Sequence, residues 1–75
     1  MRIQTSAASW IEVRDRSGRL LLSRLVSPQE TVSLDGAFPL RLVIGNAAAT
    51  RVSLRGKAIE LTGTSRDNVA RLELP

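Results

Sequence analysis

Few residues in this 75-residue chain have side chains suited to catalysis. Histidine and cysteine are both absent. That removes the usual general base, the thiol nucleophile and the ligands of most transition-metal sites. Serines remain, but none lies in the Gly-x-Ser-x-Gly elbow that exposes a nucleophilic hydroxyl. Lys57 would need burial to serve as a base, and beside Gly56 it reads as a solvated turn residue. Glu12, Glu30, Glu60 and Glu73 offer carboxylates for a hydrolase pair, yet they fall on different predicted strands and no spacing selects two of them. The sequence predicts no enzyme, no catalytic residue, no metal site and no cofactor.

Binding chemistry is the remaining option. Gly45-Asn46-Ala47-Ala48 has the composition of a backbone nest for an anion. No helix pattern follows it, so the favoured reading is a tight turn with Gly45 or Asn46 at positive φ. A single-stranded nucleic-acid platform needs several rings on a basic face. Only Trp10 and Phe38 are aromatic, and Phe38 reads as core. The other candidate is an apolar cluster of Trp10, Leu21 and Leu25, with Glu12 and Ser23 among them. Exposed, it would be a partner-contact surface with a tryptophan anchor. The favoured reading is that the first or last strand covers it, because so small a domain can hardly spare its one tryptophan from packing.

These residues sit on strands. Period-2 alternation recurs between Gly, Asp, Asn and Pro signals, and helical periodicity is nearly absent. Strands are predicted near 2–5, 9–14, 19–25, 30–34, 38–44, 50–55, 58–61 and 68–74. The predicted fold is all-β: one domain over 1–75, a small antiparallel β-sandwich of seven to eight short strands. An OB-like barrel is the alternative.

Pairing arithmetic gives three hairpins. A loop at Asp15–Gly18 sets Arg14 opposite Arg19, Val13 opposite Leu20 and Ile11 opposite Leu22, so these four aliphatics share a face. A loop of Asp35-Gly36-Ala37 sets Leu34 opposite Phe38 and Val32 opposite Leu40. Pro39 then faces away without a ladder donor, which suits an edge strand. A Gly56-Lys57 turn is preferred to Arg55-Gly56, which would force arginine to positive φ. Either choice keeps Val52, Leu54, Ile59 and Leu61 on one face. Ile11, Val13, Leu20, Leu22, Leu40, Leu42, Val52, Leu54, Ile59 and Leu72 are the predicted core.

Composition bounds the rest. A chain this short buries only about 60% of its unfolded surface. With no cysteine, no disulfide reinforces it. Met1–Thr5 lacks the apolar core of a secretion signal, and no apolar run approaches the roughly 20 residues of a membrane helix. Read alone, the chain is expected to be soluble. Its net charge is +4, from ten arginines and one lysine against seven acids. The arginines alternate along strands and form no block, so they read first as a solvated surface. A basic module for an anionic polymer or single-stranded nucleic acid is the second reading of the function.

Four segments, Ser9–Gly18, Gly45–Ala48, Gly56-Lys57 and Asn68–Leu72, occur in an order and spacing that resemble the C-terminal domain of RodZ-type bacterial cell-shape proteins. The resemblance runs from about Ser9 to Leu74. It implies the outer domain of a longer membrane-anchored protein, on the periplasmic face of the inner membrane. Such proteins link the actin-like MreB filament to wall synthesis and help maintain rod shape. The implied role is a non-catalytic interaction module whose partner is a protein of the wall-synthesis machinery. Nucleic acid is not an expected partner, and this chain is not expected to insert into a membrane.

Overall fold

Strands alternating apolar and polar residues can bury only one face each, so they stack as two layers with the apolar faces inward. The structure, a computed structural model describing residues 1–61 and 65–75, has this form. Its strands are β1 (Arg2–Thr5), β2 (Ser9–Arg14), β3 (Leu20–Val26), β4 (Thr31–Ser33), β5 (Leu40–Ile44), β6 (Thr50–Leu54), β7 (Lys57–Ile59), β8 (Ser65–Arg66) and β9 (Val69–Leu74). All eight predicted strands are present within two residues at each end, and β8 is an addition. One sheet has the order β4-β1-β6-β7, the other β3-β2-β5-β9-β8. Among the described residues the strand pairings are all antiparallel. Two separate sheets replace the OB-like alternative.

The core lies between the sheets. Ile3 and Val52 come from the four-stranded sheet; Ile11, Val13, Val26, Leu40, Leu42, Ile44, Ala70 and Leu74 come from the five-stranded one. Each is at most 5% exposed. Leu22, Ile59 and Leu72, predicted as core, are half-buried against this centre, and Leu54, also predicted as core, is half-buried.

Leu20 departs from the prediction and is 45% exposed. The first turn is longer than expected, and the reason is Asp15. Its carboxylate accepts from the Ser17 N–H, the Ser17 hydroxyl and the Arg19 N–H. Gly18 supplies the φ of +86° that this turn requires. Arg14 therefore pairs with Leu20, and a bulge leaves Leu21 extra before Val13 pairs with Leu22. Ile11 then faces Arg24 rather than Leu22.

The second predicted hairpin does not exist. β4 pairs with β1, and β5 pairs with β2 and β9. Residues 34–39 instead carry the chain from one sheet to the other. Pro39 follows a cis peptide and precedes β5, which is the central strand of its sheet and not an edge. At the third hairpin Leu54 pairs with Lys57, so the turn is Arg55-Gly56. Arg55 takes φ +53° and Gly56 φ +80°. The disfavoured turn is the one adopted, so Val52 pairs with Ile59 instead of Leu61 and the same face is kept.

Three of the edge strands are very short: three residues in β4 and β7, two in β8. β3, with seven residues, is the long edge. Its end is clasped to the β3–β4 connection. The Arg24 guanidinium donates through both terminal nitrogens to the two Glu30 oxygens, and Glu30 also accepts from the Ser27 N–H. The Arg24 hydrogen bonds, then the Ser27 N–H, hold the Glu30 carboxyl at about 2, against its ordinary 4.5. A depressed folded-state pKa contributes stability above the unfolded value, and that contribution is lost as pH falls. Stability should thus decline as pH drops from about 4.5 to about 2, by a modest amount because the pair is exposed. Glu30→Gln should flatten that decline in acid denaturation curves. An identical acid limb in wild type and variant would show that the clasp contributes nothing in solution.

Candidate functional site

Two stacked sheets cover each other's inner faces and leave both outer faces bare. Trp10 has the opposite parity to Ile11 and Val13 on β2, so it points outward. β1 belongs to the opposite sheet and β9 pairs within the same one, so neither lies over it. Trp10 is 47% exposed. This corrects the expectation that a strand covers it.

Trp10 pairs directly with Leu25, which is 57% exposed. On the other flank stands Gly45, whose N–H donates to the Trp10 carbonyl at 2.6 Å. A Cβ at Gly45 would lie 3.2 Å from the Trp10 Cβ and 3.3 Å from its carbonyl oxygen. Glycine therefore permits this close approach. Continuing the register, half-buried Val43 and Val69 prolong the apolar surface across β5 and β9. Glu12, Ser23 and Arg71 border it, and Glu12 pairs with Arg14 at 3.5 Å.

Leu21, the third residue of the expected cluster, lies elsewhere. As the extra residue of the bulge it is half-buried and packs against the core. A Cβ at Gly36 would meet its Cδ1. Leu20 takes the outward position instead, two rows from Trp10 and opposite Arg14. The alternation of β3 gave no sign of this, because a bulge breaks alternation without changing composition.

The residues around Gly45–Ala48 form neither an anion nest nor a positive-φ turn. Asn46 has φ −136°, and Ala47–Ala49 make a single 3₁₀ turn. Asn68, at φ +63°, closes this corner. Its Oδ1 accepts from the Ala48 N–H at 2.7 Å, its Nδ2 donates to Asn46 Oδ1 at 2.8 Å, and its carbonyl accepts from the Ala47 N–H at 2.9 Å. Asn46 reaches on to the Ala8 carbonyl and to Ser9 Oγ. Thr50 Oγ1 lies 2.7 Å from the Asn46 carbonyl and 3.1 Å from Ser9 Oγ. Ser9, Asn46 and Asn68 come from three of the four segments behind the family resemblance, and here they meet to satisfy backbone groups.

Among the described residues, no group of His, Cys, Asp or Glu is placed to hold a metal ion. No helix there is long and apolar enough to cross a membrane. Lys57 and all four glutamates lie on exposed or half-exposed positions.

A family model described as the RodZ C-terminal domain matches residues 2–73. No solved structure matches the chain.

Proposed function

The chain belongs to the RodZ C-terminal domain family, and from that membership we propose that it is the non-catalytic, periplasmic interaction module of a longer, membrane-anchored cell-shape protein. In this reading the module contacts a protein of the wall-synthesis machinery, and its parent couples that contact to the MreB filament. The contact surface is the uncovered outer face of the five-stranded sheet, centred on Trp10 and Leu25. Leu21 supports the edge strand from below. The observation that supports this is the Trp10–Leu25 pair: an only tryptophan, about half exposed, on a sheet face that no strand among the described residues covers. Tryptophans in such settings are enriched among the residues that dominate binding energy.

Trp10→Ala should leave the fold nearly intact, because little buried area is lost. Indole emission in the wild type should be red-shifted and quenched by iodide. In the parent gene, Trp10→Ala combined with Leu25→Ala should reproduce the shape defect that deleting the domain causes, with the protein present at normal levels. Rod-shaped cells with the double substitution, alongside misshapen cells with the deletion, would place the contact on another face. Rod-shaped cells in both cases would remove the function.

A further inference from the structure

The two outer faces of the sandwich carry charge differently. On the five-stranded sheet, Arg14 pairs with Glu12 and Arg41 with Glu73, while Arg71 has no ion pair among the described residues. On the four-stranded sheet the outward positions are Thr31 and Ser33, Arg2 and Gln4, Arg51 and Ser53, and Ala58. None is acidic. Among the described residues, neither Arg2 nor Arg51 has an ion-pair partner.

Arg2 pairs with Ser53 and Arg51 with Gln4, so the two arginines are diagonal neighbours, about 7–8 Å apart between Cα atoms. Between them lies a hollow of about 240 Å³. Arg51 also borders a second hollow, of about 260 Å³, with Gln4 and Gln29. Arg2 also borders a third, of about 410 Å³, with Ser33, Asp35 and Arg55. The three hollows follow the strand direction, with guanidinium groups on their borders. Asp35 is the carboxylate on these three, and Glu60 stands on a fourth hollow that Arg51 also borders.

Arg55 adds an independent observation. It occupies the first position of the Arg55-Gly56 turn at φ +53°, a left-handed conformation that disfavours side chains other than Asn, Asp or Gly. Asn there would give the favoured Asn-Gly turn. The position holds a long cation instead, on the third hollow, which is the pattern of local stability yielded at a functional site.

We propose that this face is a binding track for an extended acidic polysaccharide. Guanidinium groups donate paired hydrogen bonds to carboxylates. The serine, threonine and glutamine side chains between them both donate and accept, as sugar hydroxyls do. The face has no aromatic ring for stacking nucleic-acid bases. Nor does it carry a large apolar side chain to enter a bilayer.

The test titrates the 75-residue chain with an oligogalacturonate of about ten sugars, with maltodecaose as the uncharged control. Oligogalacturonate should bind, more weakly as salt rises, and maltodecaose should not. Arg2→Gln with Arg51→Gln should weaken binding about tenfold or more. Arg41→Gln with Arg71→Gln removes the same net charge from the other face and should change it less than twofold. Arg55→Asn should raise the melting temperature and still weaken binding several-fold. Equal weakening by the two double variants would overturn the proposal, leaving only diffuse attraction by net charge. So would an Arg55→Asn variant that binds as the wild type does, or no binding at low salt. Tighter binding of a dT12 oligonucleotide, or of vesicles rich in anionic lipid, through Arg2 and Arg51 would assign the face to those partners instead.

Discussion

Leu42→Ala is expected to leave the domain largely unfolded at room temperature. Leu42 is 1% exposed in the middle of the central strand β5. It stands between Val13 on one neighbouring strand and Leu72 on the other. Removing a buried leucine side chain down to Cβ costs about 2–5 kcal/mol, the larger values applying where surroundings cannot collapse into the gap. Hydrogen-bonded strands on both sides restrict such collapse here. A single-core domain of this size has only about 3–5 kcal/mol in total. Urea denaturation followed by far-UV circular dichroism measures the effect. A variant with the wild-type midpoint would mean that the inward and outward faces of β5 are exchanged.

The second large effect is expected at an exposed residue. Asn68→Ala should cost about 2–5 kcal/mol. It removes two side-chain hydrogen bonds, each worth about 0.5–1.5 kcal/mol, and places alanine at φ +63°, a conformation costing about 1–2 kcal/mol outside Gly, Asn and Asp. For a domain of this length each kcal/mol moves the melting temperature by about 4–8 °C. Asn68→Gly separates the two causes, since it keeps the backbone conformation and loses only the side-chain bonds. It should lie between wild type and Asn68→Ala. Equal melting temperatures for the glycine and alanine variants would show that the backbone conformation contributes nothing.

The strands and their faces were legible because period-2 alternation is local. Face assignment also tolerates error. The first hairpin is slipped by two residues from the predicted pairing, and a slip of two keeps every residue on its face. Leu22 stays beside Val13's side of the sheet for that reason, while Leu20, beyond the bulge, does not. Strand partners were less legible. Residues 34–39 satisfy hairpin arithmetic, yet the choice between folding back and crossing to the other sheet depends on β1, β2 and β9, far away in sequence. Arg55-Gly56 and Gly56-Lys57 differ by a slip of two that keeps the apolar face, so alternation could not choose between them, and the structure takes the one with a left-handed arginine.

The candidate contact site was half legible. Parity alone puts Trp10 and Leu25 outward. The expectation of cover came from a rule of economy about tryptophan, and two-layer packing overrides it by leaving outer faces bare. Leu21 was misplaced by the bulge, and the basic character of the opposite face was hidden because Arg2 and Arg51 are distant in sequence and adjacent only through the β1–β6 ladder.

The unequal lengths of the sheet borders have a consequence for crowding. Strand-to-strand growth into a fibre needs two open sides on each unit, one to receive and one to offer. Among the described residues, three borders offer two or three residues each, too few to guide a neighbour into register. Among the described residues only β3 is long enough to receive a strand. A unit with one receptive side is a terminator: whatever docks there ends the chain after a single step. Many copies of this domain can therefore be held close together at high local concentration without seeding an ordered aggregate.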